Sequence, residues 1–461
     1  MHTLHAAATL ALAGLGLLMA CGGDSPGTEP HTTITVTGLV RDRWGEPIGG
    51  AALVVTGKTP VTSDADGRFS IPAVAVPYDL TLLLSSRNTA LVYKGLTRAD
   101  LALLTLDPMG AERSATISGA TPLVANTRAM VSFQSGRNVH GESVPDNATG
   151  QYAMTVPWLA SATTLSGRLH VLRWTNGPTG TPASYDAYAT KPLTIIAGGD
   201  FPGNDFAAGD LTDPPEQSFG GTVVVPGGYS SMWRRLYVFL GRVPDFWDEQ
   251  TLHPLFNEFT YTVPAVTGAT FGVGTLAADP ASRTSFFFKH GISGHYATLP
   301  MAVAALLMFP ADGATAVDGA TSFGWVQGGG TGVNLFEARP DNSSDPTYIV
   351  FTTGADATIP DLAGAGMALP PNAGYTWLVV RVFPVASVDD ATSNDFLALV
   401  DLEAGDVGET VSETHAFTTK VAAGTAFRGA AATPPADPSA SLRTRRWRLT
   451  PGLISVDGGT P

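Results

Sequence analysis

Cys21 is the only cysteine among 461 residues, and it stands where a thiol has a defined chemical fate. Residues 6–20 are apolar apart from Thr9, and the stretch ends Leu18-Met19-Ala20-Cys21. That is the shape of a secretory h-region followed by a small-residue cleavage site. A membrane span needs about 20 predominantly apolar residues, so the run is short for one. Gly22-Gly23-Asp24-Ser25-Pro26-Gly27 follows, a polar, flexible stretch that no buried helix would enter. A single thiol allows no intramolecular disulfide and no CxxC metal or redox pair. Stability must come from ordinary cores.

Two further groups of residues have types suited to chemistry. His290 and His295 flank Gly291-Ile292-Ser293-Gly294, and zinc can take two histidines so placed if a third ligand comes from elsewhere. Solvent-exposed hairpin histidines are the plainer account. Residues 244–259 read as a long loop carrying Phe246, Trp247, Asp248, Glu249, His253, Phe256 and Glu258. Binding residues concentrate on loops held by a rigid scaffold. Aromatic faces beside carboxylates suit sugar rings, so Phe246, Trp247, His253 and Phe256 are the candidate ligand-binding residues. The same aromatics would also serve to pin an insertion onto its sheet. Near the C-terminus Arg443, Arg445, Arg446 and Arg448 surround Trp447. They suit either anionic head groups or a charged edge strand that deters aggregation. No G-x-S-x-G elbow, phosphate loop, dinucleotide fingerprint or paired-carboxylate motif occurs. The expectation is a non-enzymatic protein with no cofactor and no resident metal.

The elements that must position these residues are strands. Gly (52) and Pro (34) are abundant, and only 14% of residues are charged. Short runs rich in Val, Thr, Tyr and Phe recur between Gly, Pro, Asn and Asp clusters, the spacing of an all-β sandwich or barrel. The predicted fold class is all-β, as tandem β-sandwich modules behind a signal peptide and a short flexible linker. The segments are a signal peptide over 1–21, a linker over 22–33, modules over 34–107, 112–213, 214–303 and 304–419, and a tail over 420–461. Net charge is −14 with no sustained basic stripe, which argues against nucleic acid as a partner.

The modules over 112–213 and 214–303 read as repeats of each other. Thr155-Val156-Pro157 recurs as Thr262-Val263-Pro264, and Ala189-Thr190-Lys191-Pro192-Leu193 as Ala297-Thr298-Leu299-Pro300-Met301, at nearly constant spacing. Residues 129–133 and 236–240 occupy the same place in each copy.

Three stretches resemble known families. Leu18-Met19-Ala20-Cys21 resembles the lipobox of bacterial lipoproteins, which implies acylation of Cys21 and anchoring by lipid. Gly22 in place of Asp then implies passage to the outer membrane by the Gram-negative sorting rule. Residues 1–5 depart from the pattern, holding His2 and His5 but no Lys or Arg. Val36-x-Gly38-x-Val40-x-Asp42, Gly45-x-Pro47-Ile48-x-Gly50-Ala51 and Asp64-x-Asp66-Gly67-x-Phe69-x-Ile71 resemble the carboxypeptidase regulatory-like domain, a non-catalytic transthyretin-type sandwich. Trp325 and Tyr375, expected in opposite sheets, resemble the core of fibronectin type III. The resulting expectation is a lipid-anchored cell-envelope protein displaying β-sandwich modules. An adhesin or carbohydrate-binding lipoprotein, with an envelope glycan or protein as partner, is the alternative. A metal-dependent hydrolase around His290 and His295 is the third reading.

Overall fold

The computed structural model describes residues 32–421 except 43–44, 106–111, 137–138, 160–161, 178–181, 242–243, 252–256, 295 and 395–404, with backbone only at 159 and 244–251. The fold is all-β. In the first unit β1 (Thr33–Arg41) lies between antiparallel β4 (Arg68–Ala75) and parallel β7 (Asp100–Leu104). Facing it, β2 (Ala52–Val55), β3 (Val61–Thr62), β5 (Tyr78–Leu84) and β6 (Thr89–Leu96) run in the order β3-β2-β5-β6. Alternation builds these strands: along β4, Phe69 and Ile71 are buried while Arg68 and Ser70 are exposed. The preceding turn is held by Asp64, whose Oδ1 accepts the backbone N–H of Asp66 at 2.9 Å and of Arg68 at 2.8 Å. Gly67 there sits at φ 75°, a left-handed conformation that suits glycine.

The second unit repeats this wiring. Strand β8 (Glu112–Ala120) lies between β11 (Gln151–Leu159) and β14 (Asp200–Phe201). Facing them, β9 (Thr127–Ser135), β10 (Val139–Ser143), β12 (Thr164–Asn176) and β13 (Pro182–Ile196) run β10-β9-β12-β13. In the third unit β15 (Glu216–Val224) lies between β18 (Glu258–Pro264) and β21 (Ala297–Pro300). Its facing sheet runs β17-β16-β19-β20, from β16 (Ser230–Phe239), β17 (Pro244–Thr251), β19 (Thr270–Ala278) and β20 (Thr284–His290). One seven-strand topology therefore occurs three times, where the sequence suggested a duplication. Thr155-Val156-Pro157 and Thr262-Val263-Pro264 do fall on equivalent strands, β11 and β18. The second landmark does not: Ala189 lies on β13, whereas Ala297 starts β21, the counterpart of β14. The Pro-containing pentapeptides match in spelling but occupy different sheets.

The fourth unit is wired differently. Strands β22 (Leu306–Phe309), β24 (Ser322–Val326) and β27 (Asp356–Thr358) form one layer. Opposite stand β25 (Val333–Pro340), β26 (Thr347–Thr352), β28 (Gly374–Phe383), β29 (Val407–Val411) and β30 (His415–Thr419), with β23 (Ala314–Val317) parallel to β30. Trp325 on β24 and Tyr375 on β28 enter one core from opposite sheets.

The units are not strung as separate beads. A single 14-stranded sheet runs from β17 through β20, β29, β28 and β26 to β6 and β3. Its joints are β20 against β29, antiparallel, and β6 against β26, parallel from Thr89↔Thr347 to Tyr93↔Phe351. Where the first and fourth units meet, this sheet is covered on both faces. Leu82, Leu91, Tyr93, Ile349, Phe351, Leu335 and Val380 share a core with β4, β1 and β7. Leu83, Ala90, Val92, Tyr348, Val350, Phe336 and Val379 share another with β22, β24 and β27. Double burial explains the unbroken apolar runs in β5, β6 and β26, which a half-exposed sheet would not carry. A short helix, α1 (Val388–Ala391), locks the joint. Asp389 Oδ1 accepts the Thr97 N–H at 2.9 Å, its other oxygen accepts the Thr97 hydroxyl, and Arg98 Nη1 donates to the Asp389 carbonyl at 3.0 Å.

Candidate binding surface

Of the residues singled out from sequence, Cys21, His253, Phe256, His295 and the arginines around Trp447 lie outside the described residues. Residues 244–251, expected in a loop, form strand β17 at the end of the 14-stranded sheet, bonded to β16 alone among its neighbours in the sheet. In register Phe246 is opposite Val238 and Trp247 opposite Tyr237. The strand forms because β16 offers it a full antiparallel ladder, and a loop reading based on charge and aromatic content could not see that partner. Phe259, at the end of the expected loop, belongs to β18 and to the core of the third unit. Its ring lies 5.2 Å from the Arg234 guanidinium. Arg234 Nη1 donates to the Glu258 carbonyl at 2.8 Å, and burial lowers its pKa from the ordinary arginine value.

The face of β16 and β20 that turns away from this core carries a second aromatic group. Trp233, Tyr237, Phe239, Phe286 and Phe288 pack there with Leu276 and Val407. The rings meet edge-on or tilted: Tyr237 and Phe288 at 5.4 Å, Trp233 and Phe286 at 6.0 Å. Gly272 and Gly274 make room for them on β19. A Cβ at Gly272 would come within 2.2 Å of the Phe288 ring. His290 joins this group through its ring, 5.7 Å from Phe239, and its backbone N–H donates to Asp406 Oδ1 at 3.1 Å. These aromatics are buried, Phe288 fully and Phe239 to 1%, so they pack and do not offer an open stacking platform. No cluster of three or more His, Cys, Asp or Glu that could hold a metal occurs among the described residues.

One exposed apolar strip lies elsewhere, on the outer side of the β22 and β24 layer. Leu306, Met308, Phe309 and Val326 are each exposed, with Phe309 at 53%. Leu306 and Val326 are cross-strand partners. The Phe309 ring lies across Gly324, where a Cβ would approach it to 2.2 Å. The edge of β22 is not bare: the Leu307 N–H donates to Glu413 Oε1 at 2.8 Å. What this strip offers is its face, a patch of aliphatic and aromatic side chains with no ionisable group of its own. Sequence reasoning missed it, although Leu306-Leu307-Met308-Phe309 carried the signal. Four bulky apolar residues in a row put apolar side chains on both faces of a strand, and here one face is solvent.

No protein-family model and no curated protein sequence matches the chain. Among solved structures, the TIE protein of Bacillus anthracis aligns over 58% of this chain at 10% identity, with a TM-score of 0.15. The alignment covers 50% of that structure, so the chain spans about half its length. The major pilin subunit BcpA of Bacillus cereus aligns over 59% of this chain and 99% of its own, at 6% identity and a TM-score of 0.13. A leucine-rich repeat protein of Bacteroides thetaiotaomicron aligns over 41% of this chain and 26% of its own, at 10% identity and a TM-score of 0.15. No helix among the described residues is long and apolar enough to cross a membrane.

Proposed function

We propose that the chain is a non-enzymatic, lipid-anchored protein of the bacterial cell envelope whose β-sandwich units carry a binding surface. One observation carries the anchor: Leu18-Met19-Ala20-Cys21 closes an apolar segment and opens onto a polar, glycine-rich linker. Each buried methylene of an acyl chain contributes about 0.8 kcal/mol, and anchoring through more than one chain is stable. Gly22 after the cysteine favours the outer membrane as the destination. The binding half of the reading is supported by the exposed strip of Leu306, Met308, Phe309 and Val326. A ligand with an apolar face, a protein side or the C–H face of a sugar, is what such a strip accepts. Within this reading the first unit is a transthyretin-type sandwich and the fourth a fibronectin type III-like one.

Cys21→Ser tests the anchor. The wild-type chain is expected in the membrane fraction and the variant in the soluble fraction after cell disruption. A variant that still sediments with membranes would remove the basis for the reading.

A further inference from the structure

The Phe309 ring is laid flat on its sheet. A Cβ at Gly324 would meet the tip carbon Cζ at 2.2 Å and the flanking Cε2 and Cε1 at 2.6 and 2.7 Å. Flanking carbons so nearly equidistant, and only slightly further than the tip, mean a face-on approach. An edge-on ring would hold both of them much further out. The absent side chain at Gly324 leaves room for the ring, and the backbone there supports one of its faces. With 53% of the residue exposed, the other face is open to solvent. Among the described residues the one other exposed aromatic is Tyr296, in the connection between β20 and β21.

The register places a polar rim beside this platform. Phe309 pairs with Gly324, and Gly324 with Asp356, so the ring crosses β24 toward the position of Asp356 on β27. One row further on, Ser322 pairs with Thr358. Phe323 and Ala357 point into the core, so Ser322, Gly324, Asp356 and Thr358 share the outer face. Asp356 is exposed, and Ser322 and Thr358 are half-buried. Among the described residues none of these three side chains has a hydrogen-bond or ionic partner. On the other flank of the ring stand Leu306 and Val326, exposed cross-strand partners.

Area separates the two occupants that an apolar strip accepts. A stable protein–protein interface buries about 800 Å² on each partner. A whole aromatic side chain contributes at most about 250 Å². Leu306, Met308, Phe309 and Val326 are each only about half exposed, so their apolar surface falls well short of a protein-sized footprint. A single sugar ring needs no more than they offer.

We propose that Phe309 and Asp356 form a sugar-binding site whose ligand is a neutral hexopyranose unit of a glycan. The assignment rests on the strip being a binding surface and narrows it to one ligand class. A pyranose has an apolar face of C–H groups and a rim of hydroxyls, and the platform repeats that division. The C–H face stacks on Phe309, flanked by Leu306 and Val326. The hydroxyls donate to the Asp356 carboxylate, as charge-assisted hydrogen bonds, and exchange hydrogen bonds with Ser322 and Thr358. A carboxylate in the rim and a net charge of −14 work against acidic sugars. One ring stacked on an open face binds weakly, so firm attachment needs many units presented together.

Affinity electrophoresis of the full chain carrying Cys21→Ser tests this in native gels. The gels contain mannan, glycogen, a mixed-linkage β-glucan or a galactan, with polygalacturonate as the acidic counterpart. Retardation by at least one neutral polymer and none by polygalacturonate is expected. Phe309→Ala should raise the apparent dissociation constant by about tenfold or more, and Asp356→Ala should raise it several-fold. Phe309→Tyr keeps the platform and should keep the binding, whereas Gly324→Ala keeps the ring but lifts it and should weaken the binding. Melting curves identify the variants that fold, and if Phe309→Ala does not, Asp356→Ala decides on the same criterion. Unchanged mobility in every neutral polymer, or retardation that Phe309→Ala leaves intact, overturns the proposal. An unglycosylated protein whose binding depends on Phe309, with no polymer retarding the chain, overturns the sugar assignment and leaves the strip as a binding surface.

Discussion

His170 on β12 has its two nearest strand partners in Ser132 and Thr190, and only 3% of the residue reaches solvent. Its Nδ1 lies 3.4 Å from the Tyr188 hydroxyl, a long contact that does little for an imidazolium. Burial, and then the positive charge of Arg168, lower its pKa from 6.5 to about 4. The folded state therefore favours the neutral ring. A folded pKa below the unfolded one gives stability that is fully present above pH 6.5 and lost as pH falls through about 4. The shift bounds the effect at about 3 kcal/mol. Leu172, two residues along, enters the core of the third unit, so acid loosening at His170 acts beside the joint between repeats. Melting curves from pH 7 to pH 4 should show the wild-type Tm falling, and His170→Gln should flatten that fall. An unchanged slope in the variant would assign acid sensitivity to other groups. At this scale residue type was legible and exposure was not. Phe288 and Phe309 are the same side chain, one fully buried and one 53% exposed. The difference lies in which face of which sheet receives a covering layer, and that is written in distant parts of the chain.

Strands and turns were more readable. Asp64 with Gly67 reads as a hairpin turn; the turn forms, but β3 and β4 on either side of it pair with β2 and β1 in different sheets. The alternation over residues 34–40 shows in the letters of β1. Thr155-Val156-Pro157 and Thr262-Val263-Pro264 marked equivalent strands because each supplies an inward valine, Val156 and Val263, both fully buried. The first copy escaped notice because its counterpart strand β4 reads Arg68-Phe69-Ser70-Ile71-Pro72, the same inward-outward pattern in different letters. The unbroken runs Leu82-Leu83-Leu84 and Ile349-Val350-Phe351 were the one local sign that these strands are covered on both faces. Between elements, Asp389 has the clearest energetic role. It accepts from the Thr97 N–H and hydroxyl and also lies 3.4 Å from the Arg98 N–H, so one carboxylate orders the turn that leads into β7. Asp389→Ala leaves those donors to water and should lower stability by about 1.5 kcal/mol, the low end of what hydrogen bonds to charged groups contribute, because the site is exposed. Asp389→Asn, which keeps an acceptor, should recover part of the loss. Chemical denaturation read by tryptophan fluorescence measures both, and equal stability of all three chains would contradict the lock.

Four sandwiches in series, the arrangement expected from sequence, would hold the last unit far from a lipid anchor at Cys21. The observed contacts give a closed circuit instead. The second unit packs on the third through Leu172, Trp174 and Tyr185, the third continues into the fourth through β20 and β29, and the fourth carries the first through β26 and β6. The first unit then returns to the second through the connection from Leu104 to Glu112. Under the proposed anchoring, the tether leaves from the unit that is bolted to the fourth, on the face of the shared sheet opposite the one that the β22 and β24 layer covers. Reach from the membrane would then come from the linker over 22–33, not from stacking units end to end. A fragment spanning residues 32–421 makes the distinction measurable. A compact chain of this length has a radius of gyration of about 21 Å, whereas four units of about 100 residues laid end to end approach roughly 40 Å. Small-angle scattering from the monomer is expected near the compact value. Breaking the seam between the first and fourth units with Phe351→Asp, which buries a charge opposite Tyr93, should move the curve toward the extended value while the repeats in the middle stay folded. A wild-type radius already near the extended value would show that the first and fourth units part in solution and that the circuit is open.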